Sequence, residues 1–438
     1  YQYILTGAEI GNTLFLSGEA ARKAGIFCGY YTGIDRQHEG FSQYAVTTSD
    51  FDNQWNDVFV NTIANAIATQ EAAAEEGIGG ITLGITKIIQ AFGFGTAASL
   101  WGSIPFEEAG RPAFENPAFE DQILVYEKVQ ALLDEAIADL ESGEGRPATG
   151  ADIHFDGDPA AWAEVAHSLK ARLYLHTKNY RLAYEEALLG ISSPDNSLQT
   201  PHGDAIENAN LNYQFFEIAS RAADLVTSDF MASLVAPDEA TSPDISNYRG
   251  NAKTDETGRY NYLFETNSFG TQPNTVDGFA AQDAPTPLLT YQENLLILAE
   301  AGFRAEGFEV GLTHLNEFRA YMAAGGYLTN ADMANIQYEA YETADFENGG
   351  IENPDGISTD DALLREILEE RYITLFGQIE GFNDTRRTMR ESVVRVPVAP
   401  NTGTQLPERF LYPTTEIDRN PNVPTPIPDF FEPTAVNQ

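Results

Sequence analysis

The chain has 438 residues, with 25 Lys plus Arg against 66 Asp plus Glu and a formal charge of −41. A surface of that sign repels polyanions, which excludes docking on nucleic-acid phosphates or on anionic lipid. The 42% hydrophobic content still demands a sizeable core, and length alone is compatible with about two or three domains.

Cys28 has no second cysteine to pair with, so packing must hold the fold. The chain starts at Tyr1 with no charged and apolar leader behind it, the pattern of a mature or trimmed polypeptide. No continuous apolar run approaches the ~18 residues of a membrane span, the strongest being Leu295 to Ala299 and its flanks.

In chain order, Trp55, Phe59, Ile63 and Ile67 recur every fourth residue and predict a helix over 49–76, with Ser49 and Asp50 as its caps. Gly93-Phe94-Gly95-Thr96-Ala97-Ala98 matches a dinucleotide fingerprint on paper. It lies inside the helical stretch 85–100 with no strand before it, and helix packing is the expected role. Further amphipathic helices are expected at 121–141, 159–177, 179–189, 288–305, 310–324 and 360–376, with Asp158 capping the helix that opens at Pro159. Residues 191–287 carry Pro194, Pro201, Pro237, Pro243, Pro273, Pro285 and Pro287, which predicts a long loop insertion with one helix near 224–234. The last 48 residues hold nine of the 22 prolines and should wrap the surface.

Such tightly joined helix pairs predict an all-α fold, an irregular tetratricopeptide-like solenoid with loop insertions. The expected organisation is one domain over 1–438: a helix-pair scaffold at about 7–190 and 288–390, a loop-rich binding insertion at about 191–287, and a Pro-rich wrap at 391–438.

Catalytic and metal motifs are missing. The six histidines form no H-E-x-x-H, no G-x-S-x-G elbow occurs, and Asp156-Gly157-Asp158 lacks the rest of a calcium loop. No cofactor is implied. Aromatic residues stand out instead. Residues 27–54 hold six in 28, and residues 248–282 repeat the mixture beside Arg and Asn. A sugar stacks its C–H face on an aromatic ring while polar side chains bond its hydroxyls. Covering ~40 Å² at ~25 cal/mol per Å² yields about 1 kcal/mol, so several rings are needed. Tyr30, Tyr31, Tyr44, Tyr260 and Tyr262 are the candidate platforms, with Arg36, Gln43 and Asn261 bonding hydroxyls.

Six segments resemble one family in order. They are Trp55 to Ala66, Trp101-Gly102-Ser103-Ile104-Pro105-Phe106, the stretch 156–175, Tyr291 to Ala301, Glu370-Arg371 followed by Glu380 to Arg387, and Leu411 to Asn422. Together they are similar to the SusD/RagB family of nutrient-binding lipoproteins. The resemblance implies a non-catalytic glycan binder on the outer membrane at the cell surface, lipid-anchored through a cysteine outside this sequence. It also implies a SusC-like TonB-dependent transporter as partner. The net charge favours a neutral polysaccharide or oligosaccharide such as a β-glucan. The alternatives are a peptide-binding receptor of the same architecture and an all-helical polysaccharide lyase or hydrolase. Trp55, Trp101 and Trp162 fall on framework positions. Glu370, Arg371, Asp384, Arg386 and Arg387 read as an ion-pair lock on the last pair of helices, and Glu300 as a satisfied core carboxylate.

Overall fold

The computed structural model describes residues 1–238, 244–391 and 394–438; Pro243 of the insertion lies outside them. Among these residues eleven α-helices have eight residues or more, and the strands form only two-stranded antiparallel pairs. Ile81–Trp101 packs on Gln122–Glu141, which leads to Pro159–His176, Tyr180–Ala187, Tyr291–Glu306 and Phe308–Ala323, each lying against the next. Thr359–Thr374 closes against Tyr291–Glu306. The fold is an all-α stack of helix pairs, as the 3.6-residue periods require.

Ile81–Trp101 corrects the sequence reading. It is long and apolar enough to cross a bilayer. Interspersed Thr and Gly hide this from a search for unbroken apolar runs. All its residues except Leu83 and Lys87 are buried in the protein, so it is a central core helix. Its glycines serve helix packing: a Cβ on Gly93 would meet Ile63 at 2.9 Å, and one on Gly95 would meet Leu173 at 2.9 Å.

Other boundaries shift for local reasons. The cap of the Trp55 segment is a Thr47/Asp50 box rather than Ser49, and Asp57–Ala64 winds as π-helix, with Thr62 Oγ1 donating to Asp57 O at 2.9 Å. Leu288 and Leu289 belong to a strand, Thr286–Leu289, paired with Leu198–Thr200, and Thr290 caps the helix that follows. In the insertion the helix is Asp229–Val235, preceded by the strand Leu225–Thr227 paired to Tyr31–Gly33. Asp158 accepts from Ala160 N at 2.9 Å before Pro159, as expected of an N-cap.

The C-terminal segment returns across the first half of the chain. Trp101 Nε1 donates to Leu411 O at 2.9 Å, the Tyr412 hydroxyl donates to Ser103 O at 2.7 Å, and Asn420 Nδ2 donates to Pro117 O at 2.9 Å. A short helix, Thr414–Arg419, and a 3-10 turn, Ala435–Asn437, interrupt this otherwise irregular stretch.

Candidate functional site

A cavity of about 170 Å³ opens where the insertion meets the ends of the scaffold helices. The insertion supplies Ser197 and Gln199 beside and on one strand, Tyr262 and Leu263 from the helix Thr257–Leu263, Phe279, and Pro285 and Pro287. The scaffold supplies Gln292 from the first turn of Tyr291–Glu306 and Tyr321 from the last turn of Phe308–Ala323. Thr374, Phe376 and Gln378 come from the end of Thr359–Thr374 and just beyond it. Gly325 and Gly326, at φ 103° and 57°, let the chain reverse after Ala323 and bring Tyr327 back to the cavity wall.

Three tyrosines form the aromatic wall. Tyr262 lies edge-on to Tyr327 with ring centroids 5.8 Å apart, and Tyr321 meets Tyr291 edge-on at 5.2 Å. Burial pushes the phenols of Tyr262, Tyr321 and Tyr327 up, so all three remain neutral O–H groups across the physiological range. The Tyr327 hydroxyl and Thr374 Oγ1 are both buried and face each other, with no other protein partner among the described residues. Among the described residues no protein hydrogen bond engages the side-chain amides of Gln199, Gln292 or Gln378. The fifteen lining residues include no Asp, Glu, Lys or Arg. With 21% of the chain charged, about three would be expected by chance. The arrangement therefore suits a neutral molecule with apolar faces and many hydroxyl or amide groups.

Of the eight residues expected at a ligand site, only Tyr262 lines this cavity. Tyr30 and Tyr31 are core residues: the Tyr30 hydroxyl donates to Tyr372 O at 2.6 Å, and both rings pack on Phe376. Tyr260 is buried against Phe264. These three rings have no free face to stack a sugar. The two aromatic segments do meet, but inside the core, where Tyr30, Tyr31, Phe264 and Phe279 converge on Phe376.

Half-buried Tyr44 packs on Phe27, Phe430 and Phe431, its hydroxyl accepting from Asn401 N at 3.0 Å. Arg36 is exposed and donates to Asp224 at 3.4 Å; Gln43 is exposed and donates to Glu39 at 3.1 Å. Asn261 is exposed beside Tyr262, and its carbonyl accepts from Asn274 Nδ2 at 2.7 Å. The cavity also takes Gln292, Tyr321, Tyr327, Thr374 and Gln378, which the sequence did not single out. The signal available for two of them was a Gly-Gly reversal flanked by tyrosines at the end of an amphipathic helix.

A family model described as SusD-like, starch-binding and associating with the outer membrane, matches residues 4–413. The chain belongs to this SusD-like family. Solved structures agree on the fold. A SusD/RagB family protein from Bacteroides thetaiotaomicron is 21% identical, covering 96% of this chain and 94% of that one at a TM-score of 0.69. A chitin-binding SusD homolog from Flavobacterium johnsoniae is 17% identical over 95% and 93% at 0.66. A SusD homolog from Bacteroides fragilis is 17% identical over 99% of both chains at 0.67. No curated protein gives a significant match. Carbohydrate binding in association with the outer membrane is thus the family setting of this SusD-like protein.

Proposed function

We propose that this SusD-like protein is a non-catalytic receptor that captures a neutral polysaccharide or oligosaccharide in the Tyr262–Tyr321–Tyr327 cavity and delivers it to a SusC-like TonB-dependent transporter. The observation that carries this reading is the uncharged, aromatic and amide-rich lining in a chain of charge −41. Sugar rings stack on tyrosine faces, and Gln, Ser and Thr side chains exchange hydrogen bonds with hydroxyls at no cost in charge desolvation. A glycosidase needs two carboxylates flanking the scissile bond, and the lining offers none. The family's association with the outer membrane supports a cell-surface location, with a lipid anchor outside this sequence.

In this reading the protein works as one domain, the insertion at about 191–287 forming one wall of the cavity and the helix-pair scaffold the other. Tyr262 is the stacking platform retained from the first expectation, with Asn261 at its edge. A β-glucan is the leading ligand. A polymer of N-acetylglucosamine is equally neutral, and chitin is bound by one of the similar structures.

A glycan array at moderate salt tests this. The protein should bind a neutral class, leave sulfated and uronate polymers unbound, and lose its signal in Tyr262→Ala. Preference for acidic polymers, or new reducing ends released from a bound glycan, would overturn the reading.

A further inference from the structure

The cavity holds about 170 Å³, less than the 370 to 520 Å³ of four other hollows among the described residues. That is room for about one sugar ring, since a water occupies ~30 Å³ of liquid. Its inner end is closed. Leu263, Phe279 and Phe376 are buried, and behind them lies solid core, with Phe376 in ring contact with Tyr31 and Phe264. The rim is made of exposed Pro194, Pro285 and Thr329. A chain can enter but cannot pass through.

The wall also carries the hydroxyls of Tyr327 and Thr374, which face each other and have no other protein partner among the described residues. Thr374 is only 8% exposed. Each hydroxyl keeps hydrogen-bonding capacity that a polar group entering the cavity can use. An internal residue of a 1,4-linked glycan has both O1 and O4 tied up in glycosidic bonds. A terminal residue presents a free hydroxyl at the chain end, able to bond with the Tyr327 and Thr374 pair on the cavity wall.

We propose that the cavity is an end-on subsite that seats the terminal sugar residue of a neutral glycan rather than an internal stretch of it. The inference rests on the glycan-binding reading above. It implies that affinity saturates at short length, because further residues lie outside the rim. It also implies a weak site: about twelve non-hydrogen atoms at the ligand efficiency of ordinary ligands give a Kd on the order of a millimolar.

The test is titration calorimetry of the full chain with the dimer and hexamer of four series, cello-, manno-, xylo- and chito-oligosaccharides. Within the series that binds, hexamer and dimer should agree within about threefold, and Tyr262→Ala should weaken both by about tenfold or more. Tyr327→Phe and Thr374→Val, which remove only the hydroxyls or their hydrogen-bonding capacity, should weaken binding several-fold with unchanged thermal melts. Borohydride reduction of the reducing end, or methylation of the terminal O4, should abolish binding, one or the other according to which end is seated. Retention of binding through both modifications overturns end-on recognition, as does tightening by more than about tenfold from dimer to hexamer while Tyr262→Ala still weakens binding. Failure of all four series to bind, or binding indifferent to Tyr262→Ala, instead removes the cavity as a glycan site and the inference with it.

Discussion

Arg387 clasps Glu300 with both terminal nitrogens, Nη1 and Nη2 each 2.6 Å from a carboxylate oxygen, and both side chains are buried. Arg304 and Arg371 approach the same carboxylate at 2.9 and 3.4 Å, and Asp384 neutralises Arg371 and Arg387 at 2.9 and 2.7 Å. The motif that is most tempting as a catalytic cluster is thus a lock joining Tyr291–Glu306 to Thr359–Thr374 and Glu380–Thr388. Removing one partner of a buried pair strands the other, so Glu300→Gln should cost ~3–5 kcal/mol in urea unfolding without changing glycan affinity.

Acid should release the same lock. Burial alone would raise the carboxyl of Glu300, but Arg387, Arg304 and Arg371 outweigh it and hold the group at about 2. Glu370 is held at about 2 by Arg259 and Arg249, and Glu380 at about 2 by His176 and Arg172, each against the same burial penalty. A depressed folded pKa means stability that is full above the unfolded value of 4.5 and lost as pH falls through about 2. Thermal melts from neutral to strongly acidic pH should fall steeply across that window, and Glu300→Gln should flatten part of the fall.

Glu352 has the opposite sign. Burial first, then the Glu366 carboxylate, push it up to about 8 although the Tyr341 hydroxyl donates to it. A raised folded pKa gives stability that is full below 4.5 and lost as pH rises through about 8. Glu352→Gln keeps an acceptor for Tyr341 and Asn251, so melts should show the variant gaining on the parent as pH rises from about 4.5 to about 8 and levelling off above that.

Trp55 and Tyr262 should separate stability from binding. Trp55 packs on Trp101, Phe59, Phe119 and Tyr412, and Trp55→Ala should cost ~3–5 kcal/mol through a core cavity. Tyr30→Ala belongs with it, because that ring is fully buried. Tyr262→Ala should cost ~1–2 kcal/mol of binding instead. Melts beside glycan titrations distinguish the two classes.

The helix stack was legible in the sequence because burial against a neighbouring helix imposes a 3.6-residue apolar period, as at Trp55, Phe59, Ile63 and Ile67. The strand Thr286–Leu289 was not, since Leu288 and Leu289 merge with the apolar run of the next helix and only pairing with Leu198–Thr200 separates them. Aromatic density in the sequence singled out Tyr30, Tyr31 and Tyr260, which the fold buries, together with Tyr262, which lines the cavity. Local composition does not distinguish a tyrosine that anchors a loop from one that faces a cavity. Tyr30 packs into the core on Phe376 while Tyr262 lines the cavity beside Tyr327, a difference set by residues distant in the sequence. Tyr321, Tyr327 and Thr374 were missed because they come from helix ends that converge only in the folded chain.

Salt offers an independent check on ligand class. If the bound glycan is neutral, its affinity should be nearly constant from low salt to about 0.5 M NaCl, where charge interactions beyond a few ångströms are screened. Affinity that falls steeply with salt in isothermal titrations would indicate recognition of charge.

The most direct measurement is a crystal structure of the protein with the best-binding glycan from the array. The account predicts a sugar ring bounded by Tyr262, Tyr321 and Tyr327, with hydroxyls within hydrogen-bond distance of Gln292, Thr374 or Gln378. A glycan seated elsewhere, with this cavity holding only water, would contradict it.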